Sequence, residues 1–201
     1  PILKQLSAAF TAQVARWPAV YNYVKTIDEI IANFPPVGVA FFLSALPEIS
    51  TNRGAAGLPP QTRIDYHRYL RMKISGIHDF YIALAAKHVD NTAGSIALKE
   101  LAIRGFNAYV ITHCVPGTFL ASCNLLKGCV DILCTSRDET LVQASSEFIM
   151  NVAESIEEPV AEKKKRKESR DGSDYSVLNK EFFTQQNLEH LIQALFDFIK
   201  S

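Results

Sequence analysis

Apolar residues in this chain recur at steps of three and four over most of its length, and no stretch keeps the strict alternation of a half-buried strand. That pattern narrows the choice to helices, each carrying a stripe that another helix must cover. Leu3, Leu6, Phe10, Val14 and Trp17 open a first helix, which Pro18 interrupts. Val20, Val24, Ile27, Ile31 and Phe34 mark a second, stopped by Pro35 and Pro36. The run from Val37 to Leu46 is apolar on every side and suits a short buried helix, a strand being the alternative. Glycine, proline and small polar residues between Pro47 and Pro60 predict the first long loop.

Beyond that loop, Leu70, Ile74, Ile77, Tyr81 and Leu84 predict one long helix over about residues 61 to 89. Gly76 falls in its middle at a cost of about 1 kcal/mol relative to alanine, so the helix bends there or a neighbour packs close. Asn91, Thr92 and Ser95 offer N-caps for the next helix, with Leu98, Leu101, Ala102, Phe106, Tyr109 and Val110 facing inward and Pro116-Gly117 ending it. From Thr118 to Cys134 only Lys127 and Asp131 are charged, which predicts a single helix surrounded by others. Ser136-Arg137-Asp138-Glu139 has the spacing of a capping box, with Leu141, Ala144, Phe148, Val152 and Ile156 as the core stripe behind it. Residues 157 to 175 are densely charged and predict a mobile loop before a last helix with Leu188, Leu191, Ile192, Leu195, Phe196 and Ile199 on one face.

These elements make an all-α chain, read as a single domain over residues 1–201 with one mobile charged loop. Antiparallel helices with such stripes either stack as a short α-solenoid or close as a bundle. The broadly apolar stretch from Thr118 to Cys134 favours the solenoid. Asp138-Glu-Thr-Leu-Val-Gln-Ala-Ser-Ser-Glu-Phe-Ile149 resembles the second helix of HEAT and armadillo-type repeats. The resemblance implies stacked helices that bind a peptide or a partner domain along a groove.

The 21 basic and 21 acidic side chains balance, which argues against a chain whose main work is coating nucleic acid or an anionic membrane. The chain starts at Pro1 without a methionine and is read as a piece of a longer protein, and its longest apolar run is too short to span a bilayer. Cys114, Cys123, Cys129 and Cys134 lie in one short stretch without paired Cys-x-x-Cys spacing, which suits buried thiols in a reducing intracellular compartment. His67, His78-Asp79 and His88-Val-Asp90 include the residue types of a metal phosphohydrolase. Eleven residues separate His67 from His78 on one helix, however, whereas a metal needs ligands that converge. No phosphate loop, dinucleotide fingerprint or nucleophile triad is present, so neither enzyme activity nor a cofactor is expected.

Two groups of residues remain as candidate sites. Arg63, His67 and Arg71 follow one another at four-residue steps on the long helix, with Tyr66, Arg68, Tyr69 and Lys73 beside them and Arg53 in the preceding loop. Guanidinium groups beside aromatics suit an acidic peptide or an acidic face of a helical domain, with RNA or DNA as the second option. Lys163, Lys164, Lys165, Arg166 and Lys167 resemble a monopartite nuclear localisation signal, which implies an import adaptor as partner and a nuclear or nucleocytoplasmic protein. Ser169 and Ser173 flank that run as candidates for phosphorylation, where added negative charge weakens a basic signal. Self-association through an exposed helix is the third reading, and no membrane contact is expected.

Overall fold

The computed structural model describes residues 23–51, 59–86 and 92–156, together with two single helical positions, Gln5 and Ala9. The rest of the expected first helix, most of the 47–60 loop with Arg53, the 157–175 loop with Lys163–Lys167, Ser169 and Ser173, and the last helix lie outside the described residues. Among the described residues the elements are α1 (Tyr23–Asn33), α2 (Pro36–Thr51), α3 (Pro60–Ala86), α4 (Ala93–Ile111), α5 (Gly117–Ala121), α6 (Asn124–Thr135) and α7 (Glu139–Ile156). No strand occurs among them, and the protein is all-α. The chain divides into two compact units, Pro1–Cys114 and Val115–Ser201.

In the first unit α2, α3 and α4 pack against one another, with α1 against α2 and α3. Pro35-Pro36 both ends α1 and begins α2: Pro36 takes the first helical position, where its missing N–H is no loss, and Val39 N donates to Pro35 O at 3.1 Å. The apolar run is a buried helix, with Val39, Ala40, Phe42, Leu43 and Leu46 in the core, but Phe34 at the end of the α1 stripe is largely exposed. A loop expected from Pro47 is corrected, because α2 runs through this proline to Thr51. Pro47 has no N–H to give to Leu43 O four residues back. That carbonyl accepts instead from the phenol of Tyr109 on α4, at 2.6 Å. One turn earlier, Tyr81 on α3 donates to Ala40 O at 2.9 Å.

Both tyrosines are fully buried, with Phe106 between them in edge and stacked contact. The close helix approach in this unit is at Gly105 rather than Gly76. A β-carbon at Gly105 meets the Tyr81 ring at 2.5 Å, while one at Gly76 has nothing within 4 Å. The neighbour expected to pack on Gly76 is therefore not found among the described residues.

Helix α4 starts as expected, with Thr92 accepting from Ser95 N at 3.3 Å, but it ends at Ile111, before the expected Pro116-Gly117. Cys114 N bonds to Tyr109 O at 2.8 Å and His113 N to Val110 O at 2.9 Å, closing the helix as a Schellman motif. His113 takes the left-handed position with φ 57°, a place usually filled by glycine, which is why the sequence carried no stop signal there.

The second unit corrects the single helix expected from Thr118 to Cys134. The chain forms α5, breaks at Ser122 and at Cys123, whose ψ is 111°, and restarts as α6. Nor is α6 surrounded: Leu125, Leu126, Cys129 and Leu133 are buried, while Asn124, Lys127, Asp131 and Cys134 are exposed. α6 packs on α7, which buries Leu141, Ala144, Phe148 and Val152. The capping box also needs correction. Asp138, rather than Ser136, caps α7, its Oδ1 accepting from Leu141 N at 3.0 Å. Ser136 closes α6, and its Oγ accepts from Asp138 N at 3.2 Å.

Candidate functional site

A long helix packed by its neighbours has distinct strips, and the residues of α3 sort into them by angle. Tyr66, Tyr69, Leu70, Ile74, Ile77, His78, Tyr81 and Leu84 form the buried strip. Burial, then the negative charge of Asp28, holds the Tyr69 phenol far above its ordinary range, so it stays neutral. The two tyrosines expected beside the arginines thus belong to the core and present no ring face on which a nucleic-acid base can stack.

Arg63, His67 and Arg71 occupy one flank of α3 and are half-buried. His67 Nε2 lies 3.2 Å from Thr112 O at the end of α4; a carbonyl only accepts, so the ring donates from this nitrogen. This bond satisfies a terminal carbonyl of α4 and turns His67 away from solvent. On the opposite flank, Lys73 Nζ sits 2.6 Å from Asp28 Oδ2 and ties α3 to α1. The proposed basic group is therefore divided. Lys73 and His67 serve contacts between helices, Arg63 and Arg71 edge the flank, and Arg68 stands outside with its side chain 71% exposed and Asp65 at 3.7 Å.

The outward strip holds what the charge pattern did not reveal. Ile64, Arg68, Met72 and Gly76 succeed one another at four-residue steps, with Ile64 53% and Met72 74% exposed. Two large apolar side chains thus stand on the outer face of one helix, flanking an arginine. The periodicity of the core stripe is legible in the sequence, whereas the exposure of Ile64 and Met72 follows from which side of α3 its neighbours cover.

His78 is buried with its ring edge-on to Phe106 and Nδ1 3.2 Å from Asp79 Oδ1, while His88 and Asp90 lie outside the described residues. Among the described residues no three His, Cys, Asp or Glu side chains converge on a metal position. Cys114, Cys123 and Cys129 are buried and Cys134 is exposed, all as free thiols. Burial pushes the Cys123 thiol up to about 11, against the lowering effect of the Leu126 and Leu125 N–H groups and Lys127. It pushes Cys129 up to about 12, with the Ser145 hydroxyl working the other way and nearby Cys123 adding to the rise. Such thiols are poor nucleophiles at neutral pH.

No protein-family model matches this sequence, and comparison with curated proteins finds no significant relative. No helix of the described residues is long and apolar enough to cross a membrane.

Proposed function

We propose that this chain is a non-enzymatic protein-interaction scaffold, part of a larger nuclear or nucleocytoplasmic helical-repeat protein of HEAT or armadillo type. The helices of the first unit support the repeat reading, because α2 packs both on the next helix and on the next but one, as stacked antiparallel elements do. The observation that carries the binding reading is the flank of α3, where Arg63 and Arg71 lie two turns apart on one helix, both half-buried. Two arginines about 12 Å apart along the helix axis suit carboxylates on an acidic partner peptide or helix face, with fork geometry that lysine lacks. Burial of Tyr66 and Tyr69 counts against the nucleic-acid alternative.

Crosslinking and mass spectrometry on the full chain in cell extract identifies partners, and a pull-down with the Arg63→Glu/Arg71→Glu variant tests the surface. Loss of partners with acidic contact segments is the expected result. Undiminished capture by the double variant rejects the surface, and capture of RNA that falls steeply between about 50 and 200 mM salt replaces the reading with the nucleic-acid one.

A further inference from the structure

The outer face of α3 is self-complementary. Ile64, Arg68 and Met72 are bulky and lie toward the N-terminal half, while Ser75, Gly76 and Ala83 are small and lie toward the C-terminal half; all are exposed. Asp79 stands on the same face, its side chain 74% exposed and its Oδ1 3.2 Å from His78 Nδ1, which leaves the second carboxylate oxygen to face outward. A second α3 laid antiparallel, with a two-fold axis at the level between residues 73 and 74, brings Ile64 level with Ala83 of the second copy, Arg68 with Asp79 and Met72 with Ser75. Each relation is returned across the axis, as an isologous contact requires. Large groups then meet small ones, and Gly76 lets the Met72 side chain of the second copy approach the backbone. Gly76 weakens an exposed helix and, among the described residues, a β-carbon there has nothing within 4 Å, so the position leaves room for a docked second copy.

We infer that this face is a dimer interface between two copies of the chain, formed by antiparallel α3 helices and held in register by two Arg68–Asp79 pairs. The charge relation selects a second copy over an unrelated partner, because the arginine and its acidic counterpart occur on one face at mirrored levels. Arg68 has a local competitor, Asp65 at 3.7 Å, in a loose pair with both side chains more than half exposed, so it is free to turn toward the second copy. The face spans about 38 Å from Gln61 to Ala86, long enough for a helix-pair contact of modest affinity. Arg63 and Arg71 lie on the flank outside it, so this inference and the proposed acidic-partner surface fail independently.

Light scattering and sedimentation equilibrium on the full chain decide the matter. The expected mass is twice the 22.4 kDa of one chain at about 100 μM. Arg68→Asp and Asp79→Arg each weaken the dimer about tenfold or more, and Arg68→Asp/Asp79→Arg together restore it to within about threefold. Gly76→Phe weakens it comparably. Far-UV circular dichroism on each variant confirms that the helices persist, as substitutions at exposed positions allow. A wild-type chain that stays at 22.4 kDa at about 100 μM, or a dimer unaffected by the single reversals, overturns the inference.

Discussion

The phenol of Tyr109 donates to the carbonyl of Leu43 at 2.6 Å, across 66 residues of sequence, where Pro47 has no N–H to offer. A proline inside a buried helix leaves a carbonyl without its donor, and the core supplies one from another helix. The contact explains why α2 continues through Pro47 and why a polar tip belongs at the centre of an apolar layer.

Tyr109→Phe is expected to cost about 1–3 kcal/mol, because it strands a buried acceptor while leaving the ring in place. In a Pro47→Ala background the new backbone N–H serves Leu43, and the cost is expected to fall below about 1 kcal/mol. Tyr81→Phe is expected to cost less than Tyr109→Phe, since Ala40 O has the N–H of Ser44 as its helical donor. Urea unfolding of the four members of the Tyr109–Pro47 cycle measures the coupling. Equal costs in both backgrounds would show that the hydroxyl does not stand in for the missing donor.

Two glycines in neighbouring helices are expected to respond to alanine with opposite signs. At Gly105 the added methyl meets the Tyr81 ring at 2.5 Å, and that ring cannot retreat without losing its bond to Ala40 O. Overpacking of this kind costs about 1–3 kcal/mol. At Gly76 the methyl meets nothing within 4 Å among the described residues, and the better helix former is expected to stabilise the chain by about 0.5–1 kcal/mol. Thermal melts of the two variants at low protein concentration check both. A stabilising Gly105→Ala would mean that α3 and α4 can separate at no cost.

The thiols make stability depend on pH at the alkaline end. Cys123 and Cys129 keep their protons to about 11 and 12 in the folded chain, whereas an unfolded thiol releases its proton near 8.5. A raised folded-state value favours folding fully below the unfolded one, and that advantage is lost as pH climbs through the folded value. Stability is therefore expected to decline from about pH 8.5 upward, by on the order of 2 kcal/mol at pH 10 from each of these two thiols. The buried phenols of Tyr81 and Tyr109, also raised by burial, add to the decline at higher pH. Urea midpoints at successive pH values measure the slope, and Cys129→Ala is expected to make it shallower. At pH 7.5 a thiol reagent is expected to label Cys134 alone of the four, slowly, because slight burial and then Asp131 raise its value as well. Rapid labelling of a second cysteine in the folded chain would contradict the buried cluster.

Local rules were enough to read the class of fold and most helix starts. The three-and-four spacing of Leu70, Ile74, Ile77, Tyr81 and Leu84 and the cap at Thr92 act within one or two turns, so they are legible without knowing the neighbours. The departures share a physical cause. Pro47 reads as a helix end until a phenol 62 residues later in the chain is seen to serve its carbonyl partner. His113 ends α4 in a backbone state that its side chain does not announce, and Asp138 takes the cap that Ser136 was spaced to hold.

Helix periodicity is a property of consecutive residues, so the order of residues alone makes the chain helical and sets which positions of each helix are apolar. What those faces meet depends on how distant helices pack. The basic residues of α3 illustrate the difference: packing by α1 and α4 commits Lys73 to Asp28 and His67 to Thr112, each 45 residues distant, and leaves Arg68 in water between Ile64 and Met72. Charge can be counted along a sequence, but its availability depends on desolvation and pairing, which arise only when distant helices come together.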